Sequence, residues 1–137
     1  MTIWEQTEEK FRNIIKFEFY KNVHGAIITY DVTNQNSFKS VRLWFKEVES
    51  KVENNIPFLL IGNKSDKPDR EVNEDEGKVM SQYFKMGFFE TSAKTNQNVT
   101  EAFHSIAKEI LKSIQAGTFY KIKKEEKKPE KSDCIII

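Results

Sequence analysis

A short polar turn, Asn63-Lys64-Ser65-Asp66, follows the apolar run at residues 57–62. Its side chains have the chemistry to grip a guanine ring. Asp66 as a carboxylate can accept from the ring N–H and the exocyclic amine together, a pair of donors that adenine does not present on one edge. Asn63 can donate to a ring acceptor and tie two loops together. The alkyl stem of Lys64 can lie on the base face while its ammonium stays in water.

A second polar turn, Thr91-Ser92-Ala93-Lys94, could complete such a site. It would add backbone N–H donors near Ser92 and Ala93 for the ring carbonyl. Lys94 would supply a second alkyl stem against the base or the sugar. Either turn alone could equally be an ordinary solvated loop. Two such turns, each at the end of a predicted strand, favour the base-binding interpretation.

The elements that would position these turns alternate along the chain. Apolar runs predict strands, and apolar residues at three- and four-residue steps predict helices. A capping-box spacing at Asn98 and Glu101 predicts the start of a last helix, and Gly87 is a predicted helix stop. The strands are predicted at 2–4, 25–31, 57–63 and 87–91, and the helices at 8–22, 37–53, 74–86 and from Asn98.

Strands and helices that alternate with short connections predict an α/β fold, in which a mostly parallel sheet has flanking helices. Ligands of such sheets bind beyond the carboxyl ends of the strands, where both polar turns fall.

Chain length suggests one domain, at residues 1–116. A net charge of +1 gives no indication of a nucleic-acid partner. The single cysteine excludes an internal disulfide, and no apolar run is long enough to span a bilayer.

The two turns resemble the N-K-x-D and S-A-K loops of the Ras superfamily of small GTPases. The segment at residues 10–48 is similar to the Rab branch, and the resemblance extends over about residues 3–115. It implies a truncated P-loop NTPase (small GTPase-like) fold and guanine-nucleotide binding in vesicle-mediated or intracellular protein transport, with Rab-type effectors or regulators as partners. The guanine-binding residues would be Asn63, Lys64, Asp66, Ser92, Ala93 and Lys94.

The phosphate half of the family's site has no counterpart in this sequence. None of the five glycines belongs to a G-x-x-x-x-G-K-[ST] loop. The family's first strand, expected between the strands at 2–4 and 25–31, and its first switch are also missing. We expect this loss to leave unpaired sheet edges that argue against stable folding of the chain alone.

The family's next motif, W-D-T-A-G-Q-E, is degenerate here. Trp4 is followed by Glu5, which could stand where the family has its magnesium-supporting Asp, but Gln6 does not align with the catalytic Gln. The sequence therefore supplies no catalytic and no metal-binding residue. GTPase activity is implied by resemblance only, and we expect weak GTP or GDP binding without magnesium and without hydrolysis.

The composition changes at Gly117, and residues 117–137 are predicted to form a flexible tail. The tail carries six lysines and three glutamates at residues 121–131 and ends in Cys134-Ile135-Ile136-Ile137. This ending has the C-a-a-X pattern for attaching a geranylgeranyl or farnesyl group to Cys134, although Rab proteins usually carry two cysteines. The pattern predicts a lipid-anchored protein on the cytoplasmic face of a membrane, or a cytosolic one without the prenyl group. A plain hydrophobic terminus is the alternative.

Two other functions remain open from the sequence. In one, the chain is part of an active Rab GTPase whose first exon is absent; in the other, it is a nucleotide-free interaction module that holds Rab partners. His24 and His104 are predicted to be structural, and Trp44 is predicted to lie in the core. Trp4 and Phe19 fit either an effector face or the core.

Overall fold

The computed structural model describes residues 2–5, 20, 22–52, 55–117 and 133–136. They form five strands and three helices. The strands are β1 (Thr2–Glu5), β2 (Val23–Asp31), β3 (Phe58–Asn63), β4 (Gly87–Glu90) and β5 (Asp133–Ile136). The helices are α1 (Gln35–Lys51), α2 (Glu74–Tyr83) and α3 (Val99–Gln115). The predicted helix at 8–22, including Phe19, lies almost entirely outside the described residues.

The strands form one sheet in the order β1-β5-β2-β3-β4, and every neighbouring pair is parallel. This confirms the predicted α/β fold with a parallel sheet and flanking helices. Apolar runs become central strands because both of their faces are covered. In β2, Ala26 and Ile28 pack in one core with α1 and α2, whereas Ile27 packs in a second core with α3.

The helices turn their apolar stripes to these two cores. α1 contributes Val41, Trp44 and Val48 to the first core, and α3 contributes Ile106 and Ile110 to the second. Trp44 is therefore a core residue, as predicted. α1 starts at a polar cap, because the Asn34 carboxamide oxygen accepts from the backbone N–H groups of Asn36 and Ser37 at 2.9 and 3.1 Å.

The predicted start of α3 at Asn98 is confirmed, but its predicted side-chain cap and the predicted helix stop at Gly87 are wrong. Asn98 does not cap α3 with its side chain, because that side chain donates to the Glu90 carbonyl at 2.9 Å and the residue has a φ of +56°. Gly87 does not stop α2 either. The helix ends at Tyr83, Lys85 adopts the left-handed conformation with a φ of +55°, and Gly87 already opens β4.

The strand β5 was not predicted. It lies between β1 and β2, the place that the family resemblance leaves without a strand. The expectation of unpaired edges facing this place is therefore wrong, since β1 and β2 both pair with β5. The residues that join α3 to β5, numbers 118–132, lie outside the described part of the chain, so the flexible tail remains a prediction.

Candidate base-binding site

The two polar turns start side by side at the carboxyl edge of the sheet. Asn63 is the last residue of β3, Glu90 is the last of β4, and Gly62 is the register partner of Glu90. Backbone hydrogen bonds continue this pairing beyond the strands. The Thr91 N–H donates to the Gly62 carbonyl at 2.9 Å, and the Ser65 N–H donates to the Thr91 carbonyl at 3.0 Å. The structure thus brings the two predicted turns together.

Asn63 links the turns through its side chain. Its Oδ1 accepts from the Lys64 N–H at 2.8 Å, and from the Thr91 hydroxyl and the Ala93 N–H at 3.3 Å each. One oxygen thereby fixes its own turn and the neighbouring one. The role of tying the two loops, predicted from the sequence, is what the geometry shows. The carboxamide nitrogen of Asn63 is the group with which it would donate to a base.

The Asp66 carboxylate is held by the neighbouring turn. The Ser92 hydroxyl donates to Asp66 Oδ1 at 2.6 Å, and this hydrogen bond lowers the pKa of the exposed Asp66 carboxyl below its usual range. Ser92 is fully buried, and its Oγ also accepts from the Thr95 N–H at 3.1 Å. Asp66 is therefore an ionised, oriented carboxylate at the surface, the state in which it can accept from two N–H donors.

The backbone donors differ from the prediction. The Ser92 N–H donates to the Gln97 carbonyl at 3.1 Å, so it is committed inside its own loop. Ser92 instead serves the site through its hydroxyl. The Ala93 N–H makes only the 3.3 Å bond to Asn63 and belongs to an exposed residue, so it is the better donor for a ring carbonyl. Lys94 is also exposed, as a side chain lying along a ligand must be.

Lys64 has a partner that sequence reasoning missed. Its ammonium forms an ion pair with Asp31, the last residue of β2 and the register partner of Asn63, while the Lys64 side chain stays 48% exposed. Burial would raise the pKa of Asp31, but hydrogen bonds from Lys64 and Thr33 outweigh it and lower that pKa. The ion pair holds the Lys64 stem in place. A left-handed backbone at Lys64, with a φ of +65°, turns the chain after β3.

A second ion pair, also missed, braces the segment that follows the first turn. The Arg70 guanidinium binds the Glu90 carboxylate with two hydrogen bonds of 2.6 and 2.8 Å, and it donates to the Val72 carbonyl at 3.0 Å. The next residue, Glu71, accepts from the Gln35 N–H at 2.9 Å. These contacts clamp the segment between the end of β4 and the start of α1. Sequence separation hid them, since Arg70 and Glu90 are far apart in the chain.

The described residues form neither a metal-binding cluster nor a membrane-spanning helix. No group of three or more His, Cys, Asp or Glu side chains in this part of the chain could hold a metal ion. None of its helices is long and apolar enough to cross a membrane. Phosphate-binding and catalytic groups were not predicted from the sequence, and Glu5 and Gln6 lie where no side chain is described.

Comparison with known proteins places these loops in a family context. The model of the Ras family matches residues 1–112. The chain is 42% identical over 123 residues to the Ras-related protein rab-39 of Caenorhabditis elegans, which covers 85% of this chain and 53% of that protein. It is 39% identical over 117 residues to the Ras-related protein RABE1e of Arabidopsis thaliana, covering 83% of this chain and 53% of that protein. The chain spans about half the length of these relatives.

Proposed function

This chain belongs to the Ras family of small GTPases, in its Rab branch, and from that premise we propose that it binds guanine nucleotides through the two turns and acts in vesicle traffic. Asp66 recognises the two N–H donors of guanine, and Asn63 donates to a ring nitrogen. The Ala93 N–H meets the ring carbonyl, with the stems of Lys64 and Lys94 against the base.

The orientation of Asp66 is the observation that supports this proposal best. An ordinary solvated loop does not need a buried serine from a neighbouring loop to hold one of its carboxylates. Here the Ser92 hydroxyl contacts Asp66 at 2.6 Å, and the loop of Ser92 is itself fixed by Asn63. The acceptor is thus positioned before any ligand arrives, which lowers the entropic cost of binding.

The proposed affinity follows from the groups that contact the ligand. A base held by a few hydrogen bonds, of which some are charge-assisted, is expected to bind with a dissociation constant between about 1 mM and about 1 μM. The tight grip of a nucleotide switch needs phosphate and metal contacts as well. We therefore propose that guanosine and GDP bind this chain with similar affinity, and that magnesium does not strengthen the binding of GDP.

Calorimetric or NMR titration of the full chain with guanosine, GDP and adenosine tests the proposal. Saturable binding of guanosine and GDP, with adenosine at least about tenfold weaker, is the expected result. In the Asp66→Asn variant guanosine binding should fall at least about tenfold, because an amide cannot accept both donors. Asp69→Asn is the matched control, since Asp69 is an exposed carboxylate of the same segment. Equal binding of adenosine and guanosine would refute base recognition.

The same samples distinguish the alternative functions. We propose that the chain does not hydrolyse GTP. Phosphate release by the pure protein, abolished by Asp66→Ala, would instead support an active GTPase. A chain that binds no guanine compound at all would support a nucleotide-free interaction module.

Membrane attachment and partners complete the proposal. The C-a-a-X order at Cys134 and the lysines at residues 121–131 support prenylation and a location at the cytoplasmic face of a membrane. Rab-type effectors or regulators are the proposed partners. Incubation with a prenyltransferase and either farnesyl or geranylgeranyl diphosphate, followed by mass spectrometry, tests the modification, and Cys134→Ser is the control. An unmodified wild-type chain with both donors would argue against the anchor.

A further inference from the structure

The strand β5 is formed by the same residues that carry the proposed lipidation site. Thr2–Glu5 pair in register with Asp133–Ile136, so Cys134 lies opposite Ile3 on this side. On the other side β5 pairs with β2, where Cys134 lies opposite Gly25 and Ile136 opposite Ile27. Both edges of β5 are therefore occupied by parallel neighbours, and the backbone around Cys134 lies inside the sheet.

Side-chain packing adds to this attachment. Ile136 is partly buried and packs against the second core, the one that contains Ile27, Ile106 and Ile110. The strand β5 also connects the sheet, because within the described residues β1 pairs with β5 and with no other strand. Withdrawal of β5 would thus expose one edge of β2, detach β1, and uncover the part of the second core against which Ile136 packs.

Prenylation places opposite demands on the same residues. In the transfer, the Cys134 thiolate attacks the first carbon of a prenyl diphosphate. A C–S bond forms, the C–O bond to the diphosphate breaks, the diphosphate leaves, and the thiol proton passes to solvent. The transferase must enclose the cysteine and the residues after it. It cannot do so while both edges of β5 are hydrogen-bonded in a sheet.

We propose that β5 is a self-blocking strand, so that insertion of Asp133–Ile136 into the sheet and prenylation of Cys134 exclude each other. The insertion of β5 stands on the structure alone, and only the exclusion of prenylation rests on the lipidation proposed above. Two features make the strand releasable. It has four residues, against nine in β2, and few pairings are lost when it leaves. The sixteen peptide steps from Gly117 to Asp133 can span roughly 50 Å when extended.

Amide hydrogen exchange of the full chain tests the strand without reference to lipidation. The N–H groups of Cys134, Ile135 and Ile136 should exchange at least about tenfold more slowly than in a synthetic peptide of residues 118–137. Residues Thr2–Glu5 should share this protection. Exchange of Cys134–Ile136 at the rate of the peptide would overturn the inference.

Prenyl transfer then tests the exclusion. The peptide of residues 118–137 should be prenylated at least about tenfold faster than the full chain, because only the full chain must first open. Ile3→Pro, which removes a β1 N–H opposite Cys134 and leaves the C-a-a-X sequence intact, should raise the rate of the full chain toward that of the peptide. Ile3→Val keeps the N–H and is the matched control.

The outcomes separate the two proposals. Equal rates for the peptide and the wild-type chain would refute the exclusion. A peptide that accepts no prenyl group would refute the lipidation proposed above, and the exclusion with it, whereas protected amides at Cys134–Ile136 would still establish β5 as an inserted strand.

Discussion

Replacement of Asn63 by alanine should weaken both the fold around the two turns and the binding of guanine. The change removes Oδ1, which accepts one hydrogen bond of 2.8 Å and two of 3.3 Å. About 1 kcal/mol for the short bond and about 0.5 kcal/mol for each long one predict a loss of about 2 kcal/mol in the free energy of unfolding. Urea unfolding followed by tryptophan fluorescence measures this loss as a lower midpoint at unchanged slope.

A second variant separates the structural role of Asn63 from its role toward the base. Asn63→Asp keeps an oxygen for the three donors but loses the amide that would donate to a ring nitrogen. Its free energy of unfolding should lie closer to that of the wild type than that of Asn63→Ala, whereas its guanosine affinity should fall as far as in Asn63→Ala. An Asn63→Ala protein that unfolds at the wild-type urea concentration would refute the assignment of Asn63 as the link between the turns.

Three further predictions use the same unfolding assay. Gly77→Ala should destabilise the fold by about 1–3 kcal/mol despite the better helix propensity of alanine. The new Cβ would lie 2.5 Å from the Tyr30 hydroxyl oxygen and 2.6 Å from Phe88. An unchanged urea midpoint would contradict this close packing. Tyr30→Phe should stabilise the fold by about 1 kcal/mol, since the buried Tyr30 hydroxyl has no hydrogen-bond partner within the described residues. A loss of stability would show that the hydroxyl has a partner. Because the pKa of Asp31 is lowered, its ion pair stabilises the fold above the ordinary pKa of 3.8, and this stabilisation is lost as pH falls through the folded value. Asp31→Asn should therefore lose less stability than the wild type between about pH 5 and about pH 2. Equal losses in the two proteins would refute the role of the ion pair.

The sequence was sufficient for the strands and turns whose determinants are local. Runs such as residues 57–62 are apolar at every position, which fits a strand covered on both faces, and β3 has this burial. The turn after such a strand must lie at the carboxyl edge of a parallel sheet. That rule predicted that the two turns would be neighbours, and the hydrogen bond from the Ala93 N–H to Asn63 confirms it.

Contacts that depend on strand register or on competition between partners were not predictable. Asp31 meets Lys64 because β2 and β3 align Asp31 with Asn63, and no local pattern encodes that alignment. The capping box at Asn98 failed because the Glu90 carbonyl competes for its side chain. Four apolar-rich residues at 133–136 fit a terminal signal as well as a strand, and only the place between β1 and β2 shows that they form a strand.

The position of β5 also bears on how the chain acquires its structure during synthesis. Among the described strands, β1 comes first along the chain and its partner β5 comes last, with Thr2 opposite Asp133. The β2–β3–β4 sheet can assemble while translation continues, but β1 must wait for nearly the whole described chain. Contacts between such distant segments form slowly and leave β1 exposed meanwhile. In nascent chains the edges of β1 and β2 that face β5 therefore stay unpaired until Asp133–Ile136 has emerged.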